Sequence, residues 1–243
     1  MYALIKKEIS GFLSSLVGYV VMFIFLTMLG LMLWVFPGDF NVIDSGYAQL
    51  DSLFTLAPWV FMFLIPAITM RMFAEEKRVG TLELLLTKPL SELQLIIAKY
   101  AAALVLVIVA LLPTLVYYIS VYQMGNPVGN IDSGGFWGSF LGLIFLSSAF
   151  VTIGLLASSI SDNQVVSFII AVFLSFIVFT GFDALSSLSF LSNYDSFIQN
   201  LGINFHYASL SRGVVDTRDV IYFISASAFF ILITRLVLES RKW

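Results

Sequence analysis

Long uncharged runs dominate the chain, and the first extends from residue 9 to residue 38 without a single charged side chain. A helix that crosses a bilayer needs about 20 mostly apolar residues at about 1.5 Å of rise each. Six segments meet that requirement: about 15–36, 54–73, 99–122, 137–160, 164–183 and 219–238. Only "SISD" separates the fourth from the fifth, so these two form a tight helical hairpin. The sixth has fifteen uncharged residues, 220–234, and reaches full length if Arg235 snorkels its guanidinium to the interface. Before the first span, Tyr2, Ile5, Ile9, Phe12, Leu13 and Leu16 recur at helical spacing, with Lys6, Lys7 and Ser10 elsewhere on the wheel. This pattern predicts an amphipathic interfacial helix over 2–14; the alternative is that these residues are the first turns of span one. Pro58 suits the first turn of span two, whereas Pro66 and Pro113 fall inside spans and predict kinks. Gly134, Gly138 and Gly142 recur every four residues in span four, as do Ser167, Ala171 and Ser175 in span five. Small residues so spaced let helices approach closely in lipid, either between these two spans or at a subunit interface.

Composition agrees with this reading. The chain is 60% hydrophobic and 11% charged, with a mean hydropathy of +0.99, against about 45–50% apolar and about 25% charged in soluble domains. The expected fold class is therefore an all-α integral membrane protein with six transmembrane helices. The first run is too long for a secretory signal of about 7–15 apolar residues, which predicts an uncleaved first span. Even span number puts both termini on one side. Placing them in the cytoplasm leaves ten of the twelve Lys and Arg inside and only Arg212 and Arg218 outside, a strong positive-inside bias.

Chemistry-bearing residues are few. Cysteine is absent and His206 is the single histidine, so thiolate metal sites and disulfides are excluded and a catalytic constellation is not visible. His206 reads as a local hydrogen-bonding residue. No phosphate-binding loop occurs, nor a soluble stretch long enough for a nucleotide-binding domain, so any ATP must be bound by another chain. Arg71, Lys99, Asp162, Asp183 and Arg235 all fall within a turn or two of a span end, which gives little support to an ion-coupled carrier.

One stretch departs from the apolar pattern: "AEEKRVGTLELLLTKP", residues 74–89. Gly80 frees the backbone, Thr81 can cap, and Glu83 falls in the first turn, predicting a short helix over 82–88. On its wheel Leu82, Leu85 and Leu86 share one face, while Glu83, Thr87 and Lys88 point away. Leu84 falls among the polar positions, which makes it an exposed apolar contact. Pro89 ends the helix, and Ser91 with Gln94 forms a capping box that opens the helix leading into span three.

The pattern E-E-K-x-x-G-T-L-E-x-L-L-x-x-P between spans two and three, carried by Glu76, Lys77, Gly80, Thr81, Leu82, Glu83, Leu85, Leu86 and Pro89, resembles the ABC-2 type permease family. The resemblance extends over the whole chain and implies one transmembrane domain, 1–243, without catalytic activity or a cofactor of its own. In that family the stretch is a coupling helix that docks on a separate cytoplasmic ATPase, which binds the ATP and magnesium; Leu84 and Lys88 belong to the same surface. The tail from His206, with "RGVVDTRDVIYF" leading into the last span, looks like that of gliding-motility-associated permease subunits. That subfamily implies location in the bacterial inner membrane and a partner with a large periplasmic domain. Asp216, Arg218 and Asp219 also fit a cap and ion-pair cluster opening span six. The rival readings are a membrane scaffold and an ion-coupled carrier.

Overall fold

A computed structural model describes residues 1–86, 91–188 and 194–240, without the side chains of 84–86. The chain is helical, and no strand forms among the described residues. An amphipathic helix, α1 (Tyr2–Leu13), precedes the bundle and buries Leu4 and Phe12 against span three. It is a separate element: Ser14 and Ser15 leave the helical path, and the Ser15 hydroxyl accepts from the Gly18 amide to cap span one, α2 (Leu16–Trp34). After a short helix, α3 (Val42–Ser45), span two runs as α4 (Asp51–Thr69) and α5 (Arg71–Val79). Together they cover 29 residues, about 44 Å at 1.5 Å per residue. That exceeds the roughly 30 Å hydrocarbon core, so the charged end of α5 projects beyond it.

The short α6 (Thr81–Leu86) follows at once. Span three is α7 (Glu92–Leu111) and α8 (Leu115–Met124), joined by a tightened 3-10 turn at Leu112–Thr114. That turn is the form taken by the interruption expected at Pro113. The capping box opens α7 as its sequence predicts: Ser91 Oγ accepts from the Gln94 amide at 3.2 Å, and Gln94 Oε1 from the Ser91 amide at 3.1 Å. Span four is α9 (Ser133–Ile160), capped by Asp132. Span five comprises α10 (Gln164–Phe176), a π turn over Ile177–Gly181, and α11 (Phe182–Ser186). The connection between spans five and six includes α12 (Asp195–Gln199) and α13 (Ile203–Leu210), and span six is α14 (Thr217–Glu239).

Span four is the post of the bundle. In its most apolar stretch 83% of the residues are buried, against 22%, 22% and 17% in those of spans one, five and six, and it packs on α14, α10, α4 and α7. The glycines in its first turns do not all serve the hairpin with span five. A Cβ at Gly138 would run into the backbone of Gly213, and one at Gly142 into Leu210, so these two positions admit the end of α13 and the turn after it rather than a neighbouring span. Gly134 faces nothing tighter than its own helix cap at Asp132. Ser167, Ala171 and Ser175 are fully buried on span five, which packs on α9 and α4.

Candidate functional site

The charged stretch folds as two short helices hinged at one glycine. Gly80 adopts φ +75°, in the left-handed region that an L side chain resists, and ends α5 there. Thr81 is the first residue of α6 rather than its cap, and its hydroxyl points back to the Glu76 carbonyl at 3.4 Å. Leu82 is buried, whereas Arg78, Val79 and Glu83 are exposed. The side chains of Leu84, Leu85 and Leu86 lie outside the described residues, as do Thr87, Lys88 and Pro89 entirely. The outward position read for Leu84 therefore rests on its sequence spacing.

What fixes α5 in place is a buried set of charges that sequence reasoning did not assemble. Lys99, two turns into α7, is 0% exposed. Its ammonium lies 2.9 Å from Glu8 Oε1, 2.8 Å from Glu76 Oε2 and 2.6 Å from the Met72 carbonyl oxygen. Lys7 closes the set from α1, with Nζ 3.0 Å from Glu76 Oε1. Two carboxylates thus meet two ammoniums, a neutral cluster. Burial opposes the charge on Lys7, but the hydrogen bond to Glu76 and the fields of Glu76, Glu8 and Glu75 outweigh it and hold the amine above its ordinary 10.5. Glu76 and Lys77 both turn toward the bundle: Lys77 Nζ donates to the Ser159 carbonyl.

Span four completes the mount. Ser158 Oγ accepts from the amides of Phe73 and Ala74, at 3.0 and 3.1 Å, and donates to the Met70 carbonyl at 3.0 Å. The joint between α4 and α5 is thereby stitched to α9 through one hydroxyl. Arg71 adds a bond to Ser15, at the turn between α1 and α2, and an ion pair with Glu75. Helix α5 is consequently tied to spans one, three and four and to α1.

The opposite end is polar in a different way. Asp216 caps α14 by accepting from the Arg218 amide at 2.9 Å. The side chain that meets Asp219 there is His206, with Nδ1 2.8 Å from Oδ1, rather than Arg218. Tyr207 is buried and its phenol donates to the Phe54 carbonyl at 2.6 Å, which pins α13 to span two; burial pushes this phenol far above its usual range.

Six apolar helices, an amphipathic helix ahead of them and a charged two-helix insertion between the second and third define a multi-pass membrane protein of the permease type. A family model described as ABC-2 family transporter protein matches residues 37–241, and the chain belongs to that family. No curated protein matches the chain. Family membership makes it a transmembrane permease subunit of an ATP-binding-cassette transporter, a component that is non-catalytic in this family, and implies partnership with a cytoplasmic ATPase.

Proposed function

We propose that this permease receives force from its ATPase at α6 and passes it to the bundle through α5. In this reading the face with both termini is cytoplasmic, in the bacterial inner membrane, and the ATPase docks on Arg78, Val79, Glu83 and the outward position of Leu84. The observation that carries the reading is the mounting of α5. A docking helix can transmit a push only if its support does not yield, and α5 is held by Lys99, Ser158 and Lys7 on different sides. A second membrane subunit with a periplasmic domain would complete the assembly, and the likeness of the tail from His206 to gliding-type permeases supports mechanical output in gliding motility.

The test is co-purification. Glu83→Lys and Leu84→Asp leave membrane insertion intact and release the ATPase; undiminished recovery of the ATPase with both variants sinks the docking claim. A catalytically dead ATPase that stays bound and still supports full function would make the chain a scaffold instead.

A further inference from the structure

His206 lies at the end of the bundle away from the charge cluster, where α13 meets α14. Its Nδ1 is 2.8 Å from Asp219 Oδ1 and its Nε2 is 2.9 Å from the backbone oxygen of Asn200. The ring stacks on Tyr222, with centroids 3.9 Å apart and planes 21° apart. The Tyr222 phenol donates to the Leu201 carbonyl at 2.7 Å. Two successive carbonyls of the turn between α12 and α13 are therefore held by side chains that converge on span six.

Both partners of the ring can only accept. A backbone carbonyl has no hydrogen to give, nor has an ionised carboxylate, whereas a neutral imidazole carries one N–H and one lone pair. The imidazolium satisfies both contacts and the neutral ring satisfies one. The carboxylate adds a second, independent argument. Asp219 is 7% exposed, and its one ion-pair partner among the described residues is His206. A buried carboxylate without a counter-charge is costly, even at the positive end of a helix.

The other groups around the ring do not supply that charge. Asp183, at the end of span five, accepts from Asn204 Nδ2 at 2.6 Å. Asp216 and Arg218 are exposed on the first turn of α14. Span four presents Gly138 and Gly142, and the Tyr207 phenol is committed to Phe54.

We propose that His206 is a proton-operated latch. With two ring hydrogens it ties the turn at Asn200 to Asp219 and holds residues 200–210 on span six. When one hydrogen leaves, the charge-assisted bond to Asp219 is the stronger and keeps the remaining N–H; the lone pair then faces the Asn200 carbonyl, and that side opens. The turn, then held through Leu201 by Tyr222 alone, leads into α13, whose Leu210 and following Gly213 pack on Gly142 and Gly138, so its loosening extends to the packing at that end of span four.

A single histidine makes the test direct. The full-length chain, labelled with 15N-histidine in nanodiscs, is followed by ring nitrogen shifts and by hydrogen exchange over 195–210, corrected for intrinsic rate. The two conditions bracket the ordinary histidine range, at about pH 5 and about pH 8.5. Protection falls roughly three- to tenfold as the ring loses its second hydrogen, the factor expected for one hydrogen bond. His206→Gln shows the low protection at both pH values, and Asp219→Asn loses protection at a lower pH than the native chain. Equal native protection at both pH values overturns the latch, as does a pH dependence retained in His206→Gln.

Discussion

The Lys99 ammonium donates to Glu8 Oε1 and to the Met72 carbonyl and pairs ionically with Glu76 Oε2, with no side-chain surface open to solvent. Two hydrogen bonds and a second carboxylate make a buried charge tolerable, and each of them depends on the ammonium. Lys99→Met takes from half-buried Glu8 its hydrogen-bonded partner and leaves buried Glu76 to Lys7 alone, with an expected loss of about 1–3 kcal/mol. The measurement is a fall in the thermal unfolding midpoint in detergent, with faster trypsin cleavage after Lys6 and Lys7 as α1 undocks. Replacing the set together, as Glu8→Gln, Glu76→Gln and Lys99→Met, recovers most of that loss, because neutral groups need no counter-charge. Lys7 fixes the sign of the pH dependence. Its folded value is raised above 10.5, so its contribution is complete below about pH 10 and is lost only as pH climbs past the folded value. Docking of α1, followed by the same cleavage, therefore stays constant from neutral to mildly alkaline pH in the native chain. The cluster was partly legible. Glu8 stands four residues after Leu4 and four before Phe12, the two buried positions of α1, and Lys99 stands between Leu95 and Ala103 in the same way. A charge at a core position announces a buried partner; which partner is a matter of tertiary packing, and spacing within one helix does not contain it.

Among the elements, α5 and α6 depend on the turn at Gly80. A Cβ there would meet nothing within 4 Å, so the cost of a side chain is conformational alone. Gly80→Ala is expected to lose about 1–2 kcal/mol or to re-aim α6, and Gly80→Asn to lose less, since Asn tolerates left-handed backbone. On the docking reading, ATPase recovered with the chain falls more for Ala than for Asn, which a pull-down with quantified bands will show. Spans were easy to read because lipid demands some 20 apolar residues whatever the partners are. Their ends were harder. The apolar span two reads to about residue 73, and the helix itself runs on as α5 to Val79, since Glu76 and Lys77 find partners inside the fold and a helix need not end where charge begins. The start of α7 followed its capping box because that signal is local. The π turn at Ile177–Gly181 left no mark in the sequence: Ile177, Val178, Phe179, Thr180 and Gly181 are residues compatible with either helix, and neighbouring packing decides.

At the scale of the molecule, span four joins two differently built ends. Ser158 and Ser159 hold α5 near one end, and Gly138 and Gly142 accept α13 and its following turn near the other. Sixteen residues separate Gly142 from Ser158, about 24 Å along the helix. Between them Tyr100, Ser148 and Ser227 form a chain of hydroxyls, 2.8 and 2.9 Å apart, that links spans three, four and six. Perturbations at the two ends share no contacts, so in the isolated permease they should act independently. Lys99→Met and Gly142→Val together are expected to cost the sum of their separate effects to within about 0.5 kcal/mol. The proposed function makes a different prediction for the complex. If force enters at α6 and leaves at the outer segment, the two ends are coupled when ATPase and nucleotide are bound, because each then biases one shared movement. The same double-mutant cycle, read as hydrogen-exchange protection of 195–210 with and without ATP, should become non-additive only in the ATP-bound complex. Additivity in both states would leave the permease a rigid post, with docking at one end and no consequence at the other.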